Sequence, residues 1–193
     1  MTASTPREAI DLADVSIADV VTVARDETPV EVTSEVLTRA EQTRAAIHAP
    51  AAPPNPTYGV STGFGALATV SIPPERRAAL QVSLIRSHAA GSGAEVECDV
   101  VRAMMLLRLR TLATGRTGVR PVVVETLAAM LNAGLTPVVR EHGSLGCSGD
   151  LAPLAHVALG ATGEGSVVDR DGSVRPAAEA LRAAGLAPLT LPE

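Results

Sequence analysis

The chain contains no tryptophan, one tyrosine and one phenylalanine, so any core it buries is assembled from small and branched aliphatic side chains, chiefly alanine, valine and leucine. Such a core suits closely packed helices, because small side chains let backbones approach. With 46% hydrophobic residues in a length of 193 and a mean hydropathy of +0.24, one domain with a sizeable core is expected and disorder is not. A net charge of -5 and an isoelectric point near 5.4 argue against a general phosphate-binding surface, so nucleic acid is not an expected partner. No apolar run approaches the roughly 20 residues that span a bilayer. The amino terminus carries acids where a signal peptide has basic and then apolar residues. The expectation is a cytoplasmic protein without membrane association, and its two cysteines, Cys98 and Cys147, are read as free thiols in a reducing compartment.

Along the chain, residues 17–25 predict a short helix. Thr33 or Ser34 is a plausible N-cap for a helix over 35–48, which stops before a proline-rich run ending at Pro56. That run reads as an extended surface segment. Pro73 and Pro74 open a helix to about residue 89, and 97–112 reads as a second, strongly apolar helix expected to pack against it. Pro121 and Gly134 bracket a third, and a Gly-rich segment over 142–150 precedes a fourth at 151–159. Asp171-Gly172 marks the turn of a small hairpin, followed by a helix over 176–184. Arg102, Arg108, Arg110, Arg116 and Arg120 read as solvated or interface charges.

Both aromatics, Tyr58 and Phe64, fall in one loop, Tyr58-Gly59-Val60-Ser61-Thr62-Gly63-Phe64-Gly65. Core packing does not explain that placement. A loop whose glycines fix a phenol in place is a candidate site, since a tyrosine hydroxyl works as general acid or base when its surroundings lower its pKa from about 10. The competing reading is a tyrosine that anchors the loop by its ring and one hydrogen bond.

The most informative stretch is Gly143-Ser144-Leu145-Gly146-Cys147-Ser148-Gly149-Asp150-Leu151-Ala152-Pro153-Leu154. A serine followed by glycine in a tight turn permits backbone cyclisation. The unhindered Gly149 nitrogen attacks the Cys147 carbonyl carbon, loss of water closes an imidazolone ring, and dehydration of Ser148 leaves an exocyclic methylidene. The product, 4-methylidene-imidazole-5-one (MIO), is an electrophile that no ordinary side chain provides. A Cβ at Gly149 would crowd the attacking nitrogen. Three other readings compete. One is a plain turn with Asp150 as the N-cap of the next helix. A hydrolase elbow around Ser148 fails because Asp150 stands where the second glycine belongs. The third is a Cys147 nucleophile with His142 or His156 as base, which lacks any family signature.

A third motif, Ser87-His88-Ala89-Ala90-Gly91-Ser92-Gly93, puts a histidine at a helix end before another Gly-rich loop. It reads equally as a binder of a polar ring or carboxylate and as a cation at the helix dipole. His48, His142 and His156 have no metal-site spacing.

Together YGVSTGFG, SLIRSHAAGSG and GSLGCSGDLAPLAH, in that order, resemble the aromatic amino acid ammonia-lyase family, its histidine ammonia-lyase branch in particular, from about residue 10 onward. The Cys-Ser-Gly tripeptide looks like the actinobacterial version. The resemblance implies a mainly α, fumarase/aspartase-like fold in which residues 1–193 form a single N-terminal MIO domain, ending before the central helical bundle. It implies MIO made from Cys147, Ser148 and Gly149, with no metal or nucleotide. Tyr58 would be the catalytic base, Asp150 would support ring formation, and His88, Ser87 and Gly65 would contact the substrate. The implied reaction is non-oxidative loss of ammonia from L-histidine to give trans-urocanate, in histidine catabolism. The implied assembly is a homotetramer whose sites draw on three subunits, or a pairing with a complementary C-terminal chain. The chain by itself is expected to be inactive. The alternatives are a truncated or split-gene helical partner module without catalysis, and a tyrosine or phenylalanine ammonia-lyase or MIO aminomutase.

Overall fold

A computed structural model describes residues 9–48, 56–145 and 149–191. The fold is mainly α, as expected. Helix α1 (Ile17–Arg25) starts at Ser16, whose hydroxyl accepts the Asp19 amide at 3.2 Å while the Asp19 carboxylate accepts the Ser16 amide at 2.8 Å. This reciprocal cap satisfies two amides that have no partner within the helix. Helix α2 (Ser34–His48) precedes the proline-rich run, and α3 (Pro74–His88) opens at the expected proline. Helices α4 (Cys98–Ala113) and α5 (Pro121–Ala133) follow, α5 closing on Gly134 at φ 76°. Last come α6 (Leu151–Ala161) and α7 (Ala177–Ala183).

The core lies around α4, which buries Val101, Met105, Leu106, Leu109 and Leu112 against α1 and α5. Among the described residues it holds no aromatic side chain. The expected pairing of α3 with α4 is corrected. Helix α3 has no buried residue and packs on α6. A strand intervenes between α3 and α4, which frees α4 to take the central place its apolar faces require.

Among the described residues, seven short strands tie the helices together. The pair β1 (Ile10–Asp11) and β2 (Val30–Glu31) is parallel. Strand β3 (Ser92–Glu95) lies antiparallel to β5 (Arg140–His142), with Ser92 opposite His142 and Glu95 opposite Arg140. Strands β4 (Thr136–Pro137), β6 (Ser166–Val168) and β7 (Val174–Pro176) form an antiparallel sheet, the last two being the expected hairpin.

Arg102 corrects the reading of the α4 arginines as solvated or interface charges. It is 4% exposed, and its guanidinium donates to Val23 O at 2.9 Å and to Leu131 O at 3.2 Å. Those carbonyls lie in the last turns of α1 and α5, where backbone acceptors lack a full set of intrahelical donors and a positive charge is favoured. Replacing Arg102 by Met keeps the apolar stem, removes the guanidinium donor from Val23 O and leaves Leu131 O with the Gly134 amide at 3.1 Å. The expected cost is roughly 3 kcal/mol, a fall in Tm of roughly 10 °C. A denaturation midpoint matching that of the parent chain would contradict this role.

Candidate functional site

The Tyr58 loop is held from within. Ser61 Oγ accepts the Thr57 amide at 2.8 Å, and Thr62 Oγ1 accepts the Gly59 amide at 3.2 Å. Both hydroxyl residues are buried while Tyr58 is 62% exposed. Its ring meets the edge of Phe64 at 5.7 Å, and its hydroxyl accepts the Gly65 amide at 3.2 Å. Gly59 is required here: φ is +72°, and a Cβ would lie 2.7 Å from Phe64 Cε1. The loop therefore holds a tyrosine that is largely exposed to solvent.

The second motif ends α3. His88 Nδ1 lies 2.9 Å from Leu84 O, and the Ser87 hydroxyl, 3.0 Å from that Nδ1, also donates to Leu84 O. The helix end thus engages Nδ1, and Nε2 is the ring nitrogen turned to other partners. The chain then enters β3, whose pairing with β5 brings the Gly91 loop beside the segment that begins at Gly143. A Cβ at Gly143 would lie 3.3 Å from Gly91 Cα and 3.0 Å from Ala152 Cβ. Arg86 also clamps α3 to the loop after α6, donating to both Glu164 carboxylate oxygens at 2.8 Å.

Cys147 and Ser148 lie outside the described residues; Gly149 and Asp150 lie within them. A Cβ on Gly149 would meet no atom of the described residues within 4 Å. Packing against the described residues does not demand glycine there, which suits the chemical demand for an unhindered amide nitrogen. Asp150 is the N-cap residue of α6, yet its side chain makes no capping bond. It accepts the Ser144 hydroxyl instead, which ties together the two ends of the segment carrying the tripeptide. The donor set fits MIO formation at this point. Of the two candidate bases for Cys147, His156 Nε2 accepts the Gly91 amide at 3.1 Å, and His142 is exposed with Nε2 3.2 Å from Glu141 Oε1.

The loop that follows Ser87-His88 is therefore brought beside Gly143 and α6, whereas the bonding partners of Tyr58 lie in its own loop. Sequence reasoning missed the Ser144–Asp150 tie and the His156–Gly91 bond. Among the described residues, no helix is long and apolar enough to cross a membrane.

A histidine ammonia-lyase from Streptomyces coelicolor is 55% identical over 184 residues, which cover 95% of this chain and 36% of that enzyme. A tyrosine ammonia-lyase from Cupriavidus metallidurans is 48% identical over 172 residues, 89% of this chain and 32% of that protein. Among solved structures, the tyrosine aminomutase from Streptomyces globisporus superposes with a TM-score of 0.88 at 37% identity, covering 96% of this chain and 35% of its own. The chain thus spans about a third of the length of these relatives. The family model described as aromatic amino acid lyase matches residues 15–193, and this chain belongs to that family.

Proposed function

We propose that this chain is the MIO-bearing domain of a histidine ammonia-lyase, which eliminates ammonia from L-histidine to give trans-urocanate. The observation that supports this most is the β3–β5 pairing, which sets the helix end carrying Ser87 and His88 beside the segment leading to Gly149 and Asp150. Formed from Cys147-Ser148-Gly149 by loss of two waters, MIO supplies an electrophile toward an amine.

The chain's own residues do the rest. Gly149 contributes the unhindered nitrogen. Asp150, held by Ser144, supports ring formation at the start of α6. His88, with Nδ1 engaged by Leu84 O, offers Nε2 to the substrate imidazole, and Ser87 and Gly65 line its approach. Tyr58, as its phenolate, takes the β-proton of the substrate and becomes the hydroxyl form, a step that a positioned base accelerates about 10²- to 10⁴-fold. Its exposure suits a base lent to a site that other subunits complete, in keeping with a cytoplasmic homotetramer.

A tyrosine lyase or aminomutase is the second reading, favoured by relatives so named and opposed by the Ser87-His88 pair. The test is an assay of this chain together with a protein supplying the remaining length of the Streptomyces coelicolor relative. Urocanate from L-histidine, without β-amino acid and without turnover of L-tyrosine, is expected. Turnover of L-tyrosine alone, or a β-amino acid product, would overturn the assignment.

A further inference from the structure

We propose that His156 is a positioning residue: through Nε2 it latches the loop after Ser87-His88 onto α6, the helix that follows Cys147-Ser148-Gly149, and so fixes the spacing between the substrate-recognising imidazole and the electrophile. This role in catalysis rests on the lyase reading; the latch itself does not.

The Gly91 amide donates to His156 Nε2 at 3.1 Å, which requires a neutral ring carrying its proton on Nδ1. Packing around the bond is tight. A Cβ on Gly91 would stand 3.0 Å from His156 Nε2 and 3.1 Å from Arg140 Cβ. Ala152 and His156 lie one turn apart on the same face of α6, and Ala152 closes the junction where Gly143 approaches Gly91. Two glycines from two separate motifs thus meet two side chains of one helix. No step assigned above uses His156, since its acceptor nitrogen is already engaged.

The surroundings favour the neutral ring. Burial pushes the His156 imidazole below its ordinary value, and the Arg140 guanidinium adds to that. Arg140 is itself paired with Glu95 at 3.3 Å. Glu141 and His142 on β5 pair with each other, and Arg86 on α3 is committed to Glu164. A depressed folded value gives the sign. The latch is fully present above the unfolded histidine pKa of about 6.5, and it is lost as pH falls through the lower folded value, where Nε2 becomes a donor.

The test uses His156→Leu, which has no acceptor, and His156→Gln, whose amide oxygen restores one. In the parent chain at neutral pH, nitrogen-15 NMR is expected to find Nε2 unprotonated. Hydrogen exchange at Gly91 should accelerate about tenfold in the leucine variant and return close to the parent rate in the glutamine variant. In the parent chain, Gly91 exchange corrected for its intrinsic pH dependence should rise on acidification with the His156 titration, a readout that needs no variant to fold. A protonated Nε2, or Gly91 exchange indifferent to both His156→Leu and acid, would overturn the latch. In the complemented assay, His156→Leu should raise KM for L-histidine about tenfold with little change in kcat, and His156→Gln should restore it. An unchanged KM with L-histidine still turned over would overturn the positioning role. No turnover of L-histidine by the parent protein would instead remove the lyase reading and the catalytic role built on it, while exchange at Gly91 still decides the latch.

Discussion

Substituting Ser148 by Ala is expected to abolish ammonia release from L-histidine in the complemented assay, with kcat lower by roughly 10³-fold or more, a barrier increase above about 4 kcal/mol. The size follows from what the serine supplies. Ammonia is a poor leaving group and the β-hydrogen of histidine is barely acidic, so elimination needs covalent electrophilic activation of the amine together with a base. The β-hydroxyl of Ser148 is the sole source of the methylidene carbon's unsaturation. Alanine has no hydroxyl to lose, so the variant peptide over residues 143–154 sheds one water at most. The water deficit and the rate should fall together. A variant keeping its rate within about tenfold would show that another group activates the amine.

The second large effect is expected at Tyr58. Sequence alone leaves two roles for this residue, a base and a loop anchor, and Tyr58→Phe separates them because the structure shows what the hydroxyl holds. Its one backbone partner is the Gly65 amide at 3.2 Å, at an exposed position. The ring contact with Phe64 at 5.7 Å survives the change. Loss of that hydrogen bond is worth about 1 kcal/mol, whereas loss of a general base costs about 10²- to 10⁴-fold in kcat. The predicted outcome is a nearly unchanged denaturation midpoint with a collapse of kcat. The reverse pattern, lower stability with kcat preserved, would make Tyr58 an anchor.

The helices were legible because their boundaries carry local chemistry. Pro74 and Pro121 occupy first helical positions, and Gly134 takes the left-handed conformation that closes α5. The scarcity of aromatics likewise anticipated a core chiefly of alanine, valine and leucine, which around α4 also takes in Met105 and Met130. The tertiary pairings were not legible. Strand β3 is Ser92 to Glu95, with a glycine inside it and all four residues exposed, so it has no alternating pattern to read. Its partner β5 is far along the chain and only three residues long. Arg102 belongs to a helix whose other arginines reach the surface, and nothing local marks it as the one that turns inward to two helix ends. His156 is similar. Its partner is a backbone amide, and a backbone donor leaves no residue type in the sequence to pair it with.

The candidate site divides in the same way. The proposed tripeptide chemistry is read from the sequence alone, because it depends on residue types in immediate succession, Cys147, Ser148 and Gly149. The tie from Ser144 to Asp150 is not, since both residues have ordinary turn roles and only the folded segment brings hydroxyl to carboxylate.

The most direct test of the central claim, that residues 147–149 make their own electrophile, is the accurate mass of the purified chain and of the peptide over residues 143–154, taken alone and after assembly with a protein supplying the rest of a relative's length. The account predicts a deficit of two waters confined to Cys147-Ser148-Gly149. An unmodified peptide in both preparations would contradict it.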